Sequence, residues 1–221
     1  MKPLTGQIAL VTGASRGFGF AAAKAMGAAG AHVIAVARTV GGLEDLDDAI
    51  KAAGGETVLV PADICDEQGM ERMCAALHQR FGRVDIWLHT ACHAPPLCPA
   101  EHIDAKDLDK TIAVNIRAFQ RLIRVIDPLL RLSETPRAII AADTHLGEKF
   151  FGPYAMSKAA QSAITQAWAA ESSQTIKITE FKPAAMPTAL RARFFPGEDR
   201  STLTATGTEA QHLLDATLNG G

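Results

Sequence analysis

Apolar residues in this chain gather in six short runs, at 8–11, 32–37, 57–60, 84–88, 138–142 and 176–181. Each run is rich in Val, Ile, Leu or Ala, and none alternates strictly with polar residues. Strands covered on both faces read this way, because helices pack on either side of a parallel sheet. Longer stretches between the runs carry the helical pattern, at 17–29, 43–53, 67–81, 105–132 and 154–171. The alternation predicts an α/β fold: a doubly wound parallel β-sheet flanked by helices. After residue 182 the pattern changes. Pro183, Pro187, Pro196 and Gly197 make the tail irregular, with a short helix expected at 188–195 and an amphipathic one at 209–218. No repeat, low-complexity tract or linker divides the chain, so 1–221 reads as a single domain.

Composition narrows the possibilities. A chain of 221 residues suits one globular domain and can bury a sizeable core without disulfides. Hydrophobic residues make up 48% and charged ones 21%, with a formal net charge of −2. Such scattered charge predicts no nucleic-acid partner. The local basic run Arg117, Arg121, Arg124 and Arg131 reads as a solvated or partner-facing stripe. Cys65, Cys74, Cys92 and Cys98 form no C-x-x-C pair. Pro95, Pro96 and Pro99 break up the one segment where Cys92, His93, Cys98 and His102 cluster. The expectation is reduced thiols and no metal site. The N-terminal stretch lacks a signal-like apolar run, and no window reaches membrane-spanning length. A cytoplasmic protein without a membrane partner is expected.

The first strand runs into T-G-A-S-R-G-F-G, residues 12–19. Gly13, Gly17 and Gly19 allow a tight turn and a close approach to a ligand. The helix that follows aims its free N–H groups and its positive dipole end at the same spot. This strand–turn–helix context suits a pyrophosphate, as in a Rossmann-type dinucleotide site. At the end of the second strand, Arg38 and Thr39 stand where NAD sites commonly carry an acid. Arg38, joined by Arg16 in the loop, can grip a 2′-phosphate. That favours NADP(H) over NAD(H), against the reading that both arginines point into water. Asp63 follows the third strand, where it can accept from an adenine amino group or cap the next helix.

The chain's single tyrosine, Tyr154, lies four residues before Lys158 in G-P-Y-A-M-S-K. That spacing shares a helix face. An ammonium beside a phenol lowers its pKa toward useful general acid/base chemistry. Asn115 interrupts a helical run, either as a distortion or as a surface residue. Thr144, at the end of the fifth strand, can offer a hydroxyl to a substrate oxygen, while its neighbour Asp143 can only accept unless protonated.

Together these features resemble the short-chain dehydrogenase/reductase family, over roughly residues 6–183. T-G-A-S-R-G-F-G resembles its glycine loop and Y-A-M-S-K its Tyr–Lys pair. Asn115 and Asp63 fall where the family has its active-site asparagine and its adenine-contacting aspartate. The resemblance implies that Tyr154 is the acid/base, that Lys158 holds the nicotinamide ribose and lowers the tyrosine pKa, and that Asn115 positions a relay water. It implies cofactor contacts from Ser15 and Phe18 in the loop, Ile64 beside Asp63, Thr90 and Ala91 after strand four, and Pro183 after strand six. It also implies a small-molecule carbonyl or alcohol substrate and a homodimer or homotetramer.

The departures are specific. The family's N-N-A-G is H-T-A-C here, residues 89–92. The family's serine position, thirteen residues before the tyrosine, is Ala141; aligning strand ends puts Thr144 there instead. No seventh strand is evident in 183–221. The leading expectation is an NADP-dependent oxidoreductase, its substrate bounded by 144–151 and 184–195, with Phe150, Phe151, Met186, Leu190, Phe194 and Phe195 as apolar walls. The altered segment and the missing serine suggest an alternative, a non-catalytic nucleotide-binding or redox-sensing protein. Sugar-nucleotide epimerases also use a Tyr–Lys pair, but with different glycine spacing and a larger C-terminal domain.

Overall fold

In the computed structural model, which describes residues 2–219, the six apolar runs are six strands. They are β1 (Ile8–Thr12), β2 (His32–Ala37), β3 (Glu56–Pro61), β4 (Ile86–His89), β5 (Arg137–Ala141) and β6 (Lys177–Phe181). Between and after them run α1 (Gly17–Ala28), α2 (Val40–Ala52), α3 (Glu67–Phe81), α4 (Ala105–Thr111), α5 (Phe119–Leu130), α6 (Gly152–Ser172), α7 (Ala189–Phe194) and α8 (Thr206–Asn219). The strands form one parallel sheet in the order β3-β2-β1-β4-β5-β6. The order in which strands are added reverses between β1 and β4, where Thr12 pairs with His89. In doubly wound sheets that reversal opens a crevice at the carboxyl ends of the strands, where ligands bind.

Alternate residues of each strand feed two cores. Ala9, Val11, Ala35 and Leu88 pack with Ala22, Ala23 and Met26 of α1, Leu46 of α2 and Leu213 of α8. Leu10, Ile34, Trp87 and Ile140 face the other side, against Met73 of α3, Phe119 and Leu122 of α5 and Trp168 of α6. The small side chains at 9, 22, 23 and 35 bring α1 close to the sheet, so its N-terminus sits directly over the crevice.

The expected helix at 105–132 is divided. A π-helical segment, Ile112–Ala118, lies between α4 and α5 and carries Asn115 at its middle. Single π turns inside helices mark functional positions in many proteins, because the widened turn re-aims backbone carbonyls. The irregular tail is pinned as well. Glu209 of α8, buried, accepts from Ala184 N at 2.9 Å, and Thr204 N donates to Ala185 O at 2.9 Å. The segment after β6 is thereby fixed along the crevice. Among the described residues, no helix is long and apolar enough to cross a membrane, no cluster of three or more His, Cys, Asp or Glu suits a metal, and all four thiols are unpaired.

Candidate active site

A cleft of about 660 Å³ lies over the carboxyl ends of the strands. Its glycine wall is set by sterics. Gly13 has φ +88°, and a Cβ there would lie 2.6 Å from Ala91 N. A Cβ on Gly19 would lie 2.3 Å from Gly13 O and from Thr90 Oγ1. Thr90, which replaces the family's asparagine, fastens this turn: its hydroxyl lies 2.9 Å from Thr12 O and 3.3 Å from Gly13 O. At the start of α1, Arg16 is extended and makes no side-chain cap, and the first turn holds no acid. The N–H groups and positive end of the helix therefore point unspent into the cleft, an arrangement that fits a pyrophosphate.

Arg38 and Asp63 stand at the far end, both exposed, with Arg38 Nη1 4.0 Å from Asp63 Oδ2. Asp63 does not cap α3. Asp66 does, accepting from Gly69 N at 3.0 Å, while Asp63 Oδ1 accepts from Cys65 N at 2.9 Å. Ser15, Arg16, Gly17, Phe18, Thr39, Ile64, Thr90, Ala91, Thr144 and Pro183 all line the same cleft with them.

Tyr154 lies at the other end, on the first turn of α6, where Pro153 occupies a helix-start position. It is 2% exposed, and its hydroxyl donates to Asp143 Oδ2 at 2.8 Å. Burial is the main cause that pushes its pKa above the ordinary tyrosine value, helped by Cys92 and Asp143 beside it. This is the reverse of the lowering expected from a neighbouring lysine. Lys158 is also buried, and burial lowers its pKa. Its ammonium donates to Ala141 O at 2.7 Å and to Gln161 Oε1. A phenol so placed stays protonated and can only give a proton.

Asn115 is buried rather than on the surface, and it alone of the expected site residues does not line the cleft. Its side chain accepts from His93 N at 2.7 Å and donates to His93 O and to Ser157 Oγ, each at 2.9 Å. Its carbonyl, freed by the π turn, accepts from Gln161 Nε2 at 3.4 Å. Thr144 is exposed, and its hydroxyl accepts from Lys182 Nζ at 3.0 Å. Consecutive residues leaving a strand point to opposite sides, so Asp143 takes the place beside the phenol.

The apolar walls are partly as expected. Phe151, Tyr154 and Phe194 form a buried cluster flanked by Leu190 and Phe195. Phe150 instead is exposed and holds an unusual φ of +73°, while Met186 lines the cleft and also packs into the core beside α1. Sequence reasoning missed Gln161 and His145. Gln161 was visible as a polar residue one turn beyond Lys158, but its partner Asn115 is 46 positions away. His89, wholly buried at the end of β4, also went unremarked. Its Nδ1 lies 2.8 Å from Thr12 Oγ1, and burial, with Lys158 adding, lowers its pKa to about 3.

Comparisons with known proteins bear on the family and the fold. The family model described as short chain dehydrogenase matches residues 7–199. A fatty acyl-CoA reductase of Mycobacterium tuberculosis is 34% identical over 172 residues, covering 75% of this chain and 58% of that protein. The chain thus spans less than two thirds of the length of the first curated relatives it matches. A short chain dehydrogenase structure from Pseudomonas syringae superposes with a TM-score of 0.93 at 30% identity, covering 98% of this chain and 90% of that one. One from Escherichia coli CFT073, complexed with NADPH, gives 0.91 at 26%, covering 98% and 92%.

Proposed function

The chain belongs to the short-chain dehydrogenase family, and from that premise we propose that it is an NADP-dependent oxidoreductase that reduces a carbonyl compound, with Tyr154 as the proton donor. The observation that carries this reading is the buried phenol, 2.8 Å from Asp143, at one end of the cleft whose other end is the uncapped start of α1. Bound NADPH supplies the hydride. Gly13, Gly17 and Gly19 with the α1 N-terminus cradle the pyrophosphate, Arg38 and Arg16 grip the 2′-phosphate, and Asp63 accepts from the adenine. Lys158 holds the ribose by exchanging one of its present protein partners. Asn115 sets the backbone at His93 rather than facing the substrate.

Burial keeps the Tyr154 phenol protonated, the form a carbonyl oxygen needs as its donor, although the same burial makes it a weaker acid than a free tyrosine. Met186, Leu190, Phe194 and Phe195, which line the cleft, favour an apolar group beside the carbonyl. The NADPH-bound relative supports the choice of cofactor. We extend the reading to a cytoplasmic homodimer or homotetramer, which light scattering tests.

The test is NADPH consumption across a panel of apolar ketones and aldehydes. The native protein turns over at least one, and Tyr154→Phe loses about 10²–10⁴-fold of that rate while NADPH binding is unchanged. Undiminished turnover in Tyr154→Phe rules out the role. A second reading has its own observation: Lys158 and Asn115 are both occupied by protein partners. A nucleotide-binding protein without turnover would bind NADPH and reduce nothing on the panel.

A further inference from the structure

The phenol that gives up a proton in each cycle must recover one. A cleft filled by cofactor and substrate excludes water from it, so the proton needs a path through side chains. On one side of Tyr154 the side chains lead to a carboxamide. Lys158 is buried and donates to Gln161, and the Gln161 amide donates to Asn115 O. A carboxamide has fixed N–H donors and does not ionise near neutrality, so it holds a hydrogen bond without passing a proton on.

On the other side the groups are all ionisable. Tyr154 Oη donates to Asp143 Oδ2 at 2.8 Å. Asp143 Oδ1 is 3.4 Å from His145 Nε2, and His145 Nδ1 is 2.8 Å from Glu148 Oε2. Asp143 and His145 line the cleft, whereas Glu148 stands outside it with its side chain 49% exposed. The imidazole is held in place: it stacks on Phe151 at 4.1 Å with the rings 12° from parallel, and its side chain is 12% exposed. The loop that brings Glu148 back to His145 turns on left-handed residues, Gly147 at φ +79° and Phe150 at φ +73°. A non-glycine residue held there marks a conformation that the surroundings enforce. Besides Asp143 and Glu148, the charges around this group are Lys158 and Arg191, which both act on Asp143 through space, Arg191 being itself paired with Glu198 at 2.5 Å, and Lys182, whose ammonium donates to Thr144 Oγ1 at 3.0 Å.

We propose that Asp143, His145 and Glu148 form the path by which Tyr154 exchanges its proton with solvent, an inference that rests on Tyr154 being the proton donor. The substrate oxygen takes the phenolic proton and leaves a phenolate. The His145 imidazolium gives its Nε2 proton to Asp143. The carboxyl turns about its soft two-fold torsion and delivers that proton to the phenolate. The imidazole, left neutral with its remaining proton on Nδ1, turns over so that this N–H faces Asp143 and the bare nitrogen faces Glu148, where solvent returns one proton; one proton thus enters for each one lost. The 3.4 Å link is long for a hydrogen bond, as such contacts are before the substrate complex forms. Imidazole suits the middle position because its two ring nitrogens let it hold a proton toward one neighbour while taking one from the other. Asp143 touches the acid itself; His145 and Glu148 act through it.

The single tyrosine makes the test clean. The full chain, labelled with ¹³C at the tyrosine ζ carbon, gives one resonance whose isotope shift in H₂O/D₂O mixtures reports hydroxyl exchange at Tyr154. No cofactor or substrate is added, and Tyr154 is 2% exposed even so, so exchange still needs a path and the result stands apart from any failure to find carbonyl reduction. His145→Phe keeps the stack on Phe151 and removes the carrier; it slows exchange by about tenfold or more. Glu148→Gln, at the surface, slows it less. His145→Ala is slow alone and regains the native rate when imidazole is added. A residue that only packs would, when replaced, open the site and speed exchange. Unchanged or faster exchange in His145→Phe, or no response of His145→Ala to imidazole, overturns the proposal.

Discussion

The two ends of the cleft are built by different means. The glycine end is made of backbone and of missing side chains: Gly13 and Gly19 leave no room for a Cβ, and α1 begins without a cap. The tyrosine end is made of side chains from five separate segments, Cys92, Asn115, Asp143, Tyr154 with Lys158 and Gln161, and Phe194. The glycine loop keeps its family's spacing, with Thr90 fastening it where the family has asparagine; the tyrosine end keeps the Tyr–Lys pair and departs around it. Backbone geometry tolerates little variation, since Gly13 and Gly19 are each required by a contact of less than 3 Å. A side-chain constellation can be rebuilt, and here a carboxylate stands beside the phenol while a carboxamide stands beside the lysine.

The largest expected effect that sharpens this contrast is at the glycine end. Gly19→Ala forces a methyl against Gly13 O, and overpacking of this kind costs about 3 kcal/mol at its upper range. Denaturant unfolding measures it, and NADPH binding is lost with it. A variant of native stability would break the claim that sterics fix this end.

Next comes His89, which links the two ends through Thr12. Its pKa is about 3 in the folded protein against an ordinary 6.5. Below pH 6.5 the unfolded chain takes up a proton that the folded one refuses, so this contribution is full above 6.5 and is lost as pH falls toward 3. The loss is about 1.4 kcal/mol per pH unit. His89→Asn, which cannot be protonated there, has a shallower acid limb in stability measured against pH. Identical slopes would show that burial does not hold this ring neutral.

Arg38→Ala weakens NADPH roughly tenfold, as expected for one charge-assisted phosphate contact, and leaves NADH unchanged; equal losses for both would remove the cofactor preference. The smallest effect is far from both ends. Arg124→Ala cuts the exposed pairs with Glu67 and Glu71 and costs at most about 1 kcal/mol in chemical denaturation.

The contrast also explains what could be read in advance. The sheet, the helix 67–81 and the glycine turn follow from local periodicity and local sterics, and they lie where the sequence puts them. The Tyr154–Lys158 pair was legible because one turn of helix fixes it. Asp143 was less so: it and Thr144 are adjacent polar residues at a strand end, and which one faces Tyr154 depends on the exit angle of the chain. The π turn at Asn115 was visible only as an odd polar residue inside a helix. Its role in aiming a carbonyl at Gln161 needs two elements that meet only in the fold. The raised pKa of Tyr154 comes mainly from burial, and spacing along one helix carries no information about burial.

The most direct test of the account is a nicotinamide fluorescence titration with NADPH, run on the native protein, on Tyr154→Phe with Asp143→Ala, and on Gly19→Ala. A cofactor end that stands independently of the catalytic end predicts tight binding to the first two, within about threefold of one another, since a few tenths of a kcal/mol is ordinary variation between distant sites. It predicts none to the third. Failure of the native protein to bind NADPH, or native-like binding to Gly19→Ala, would contradict it.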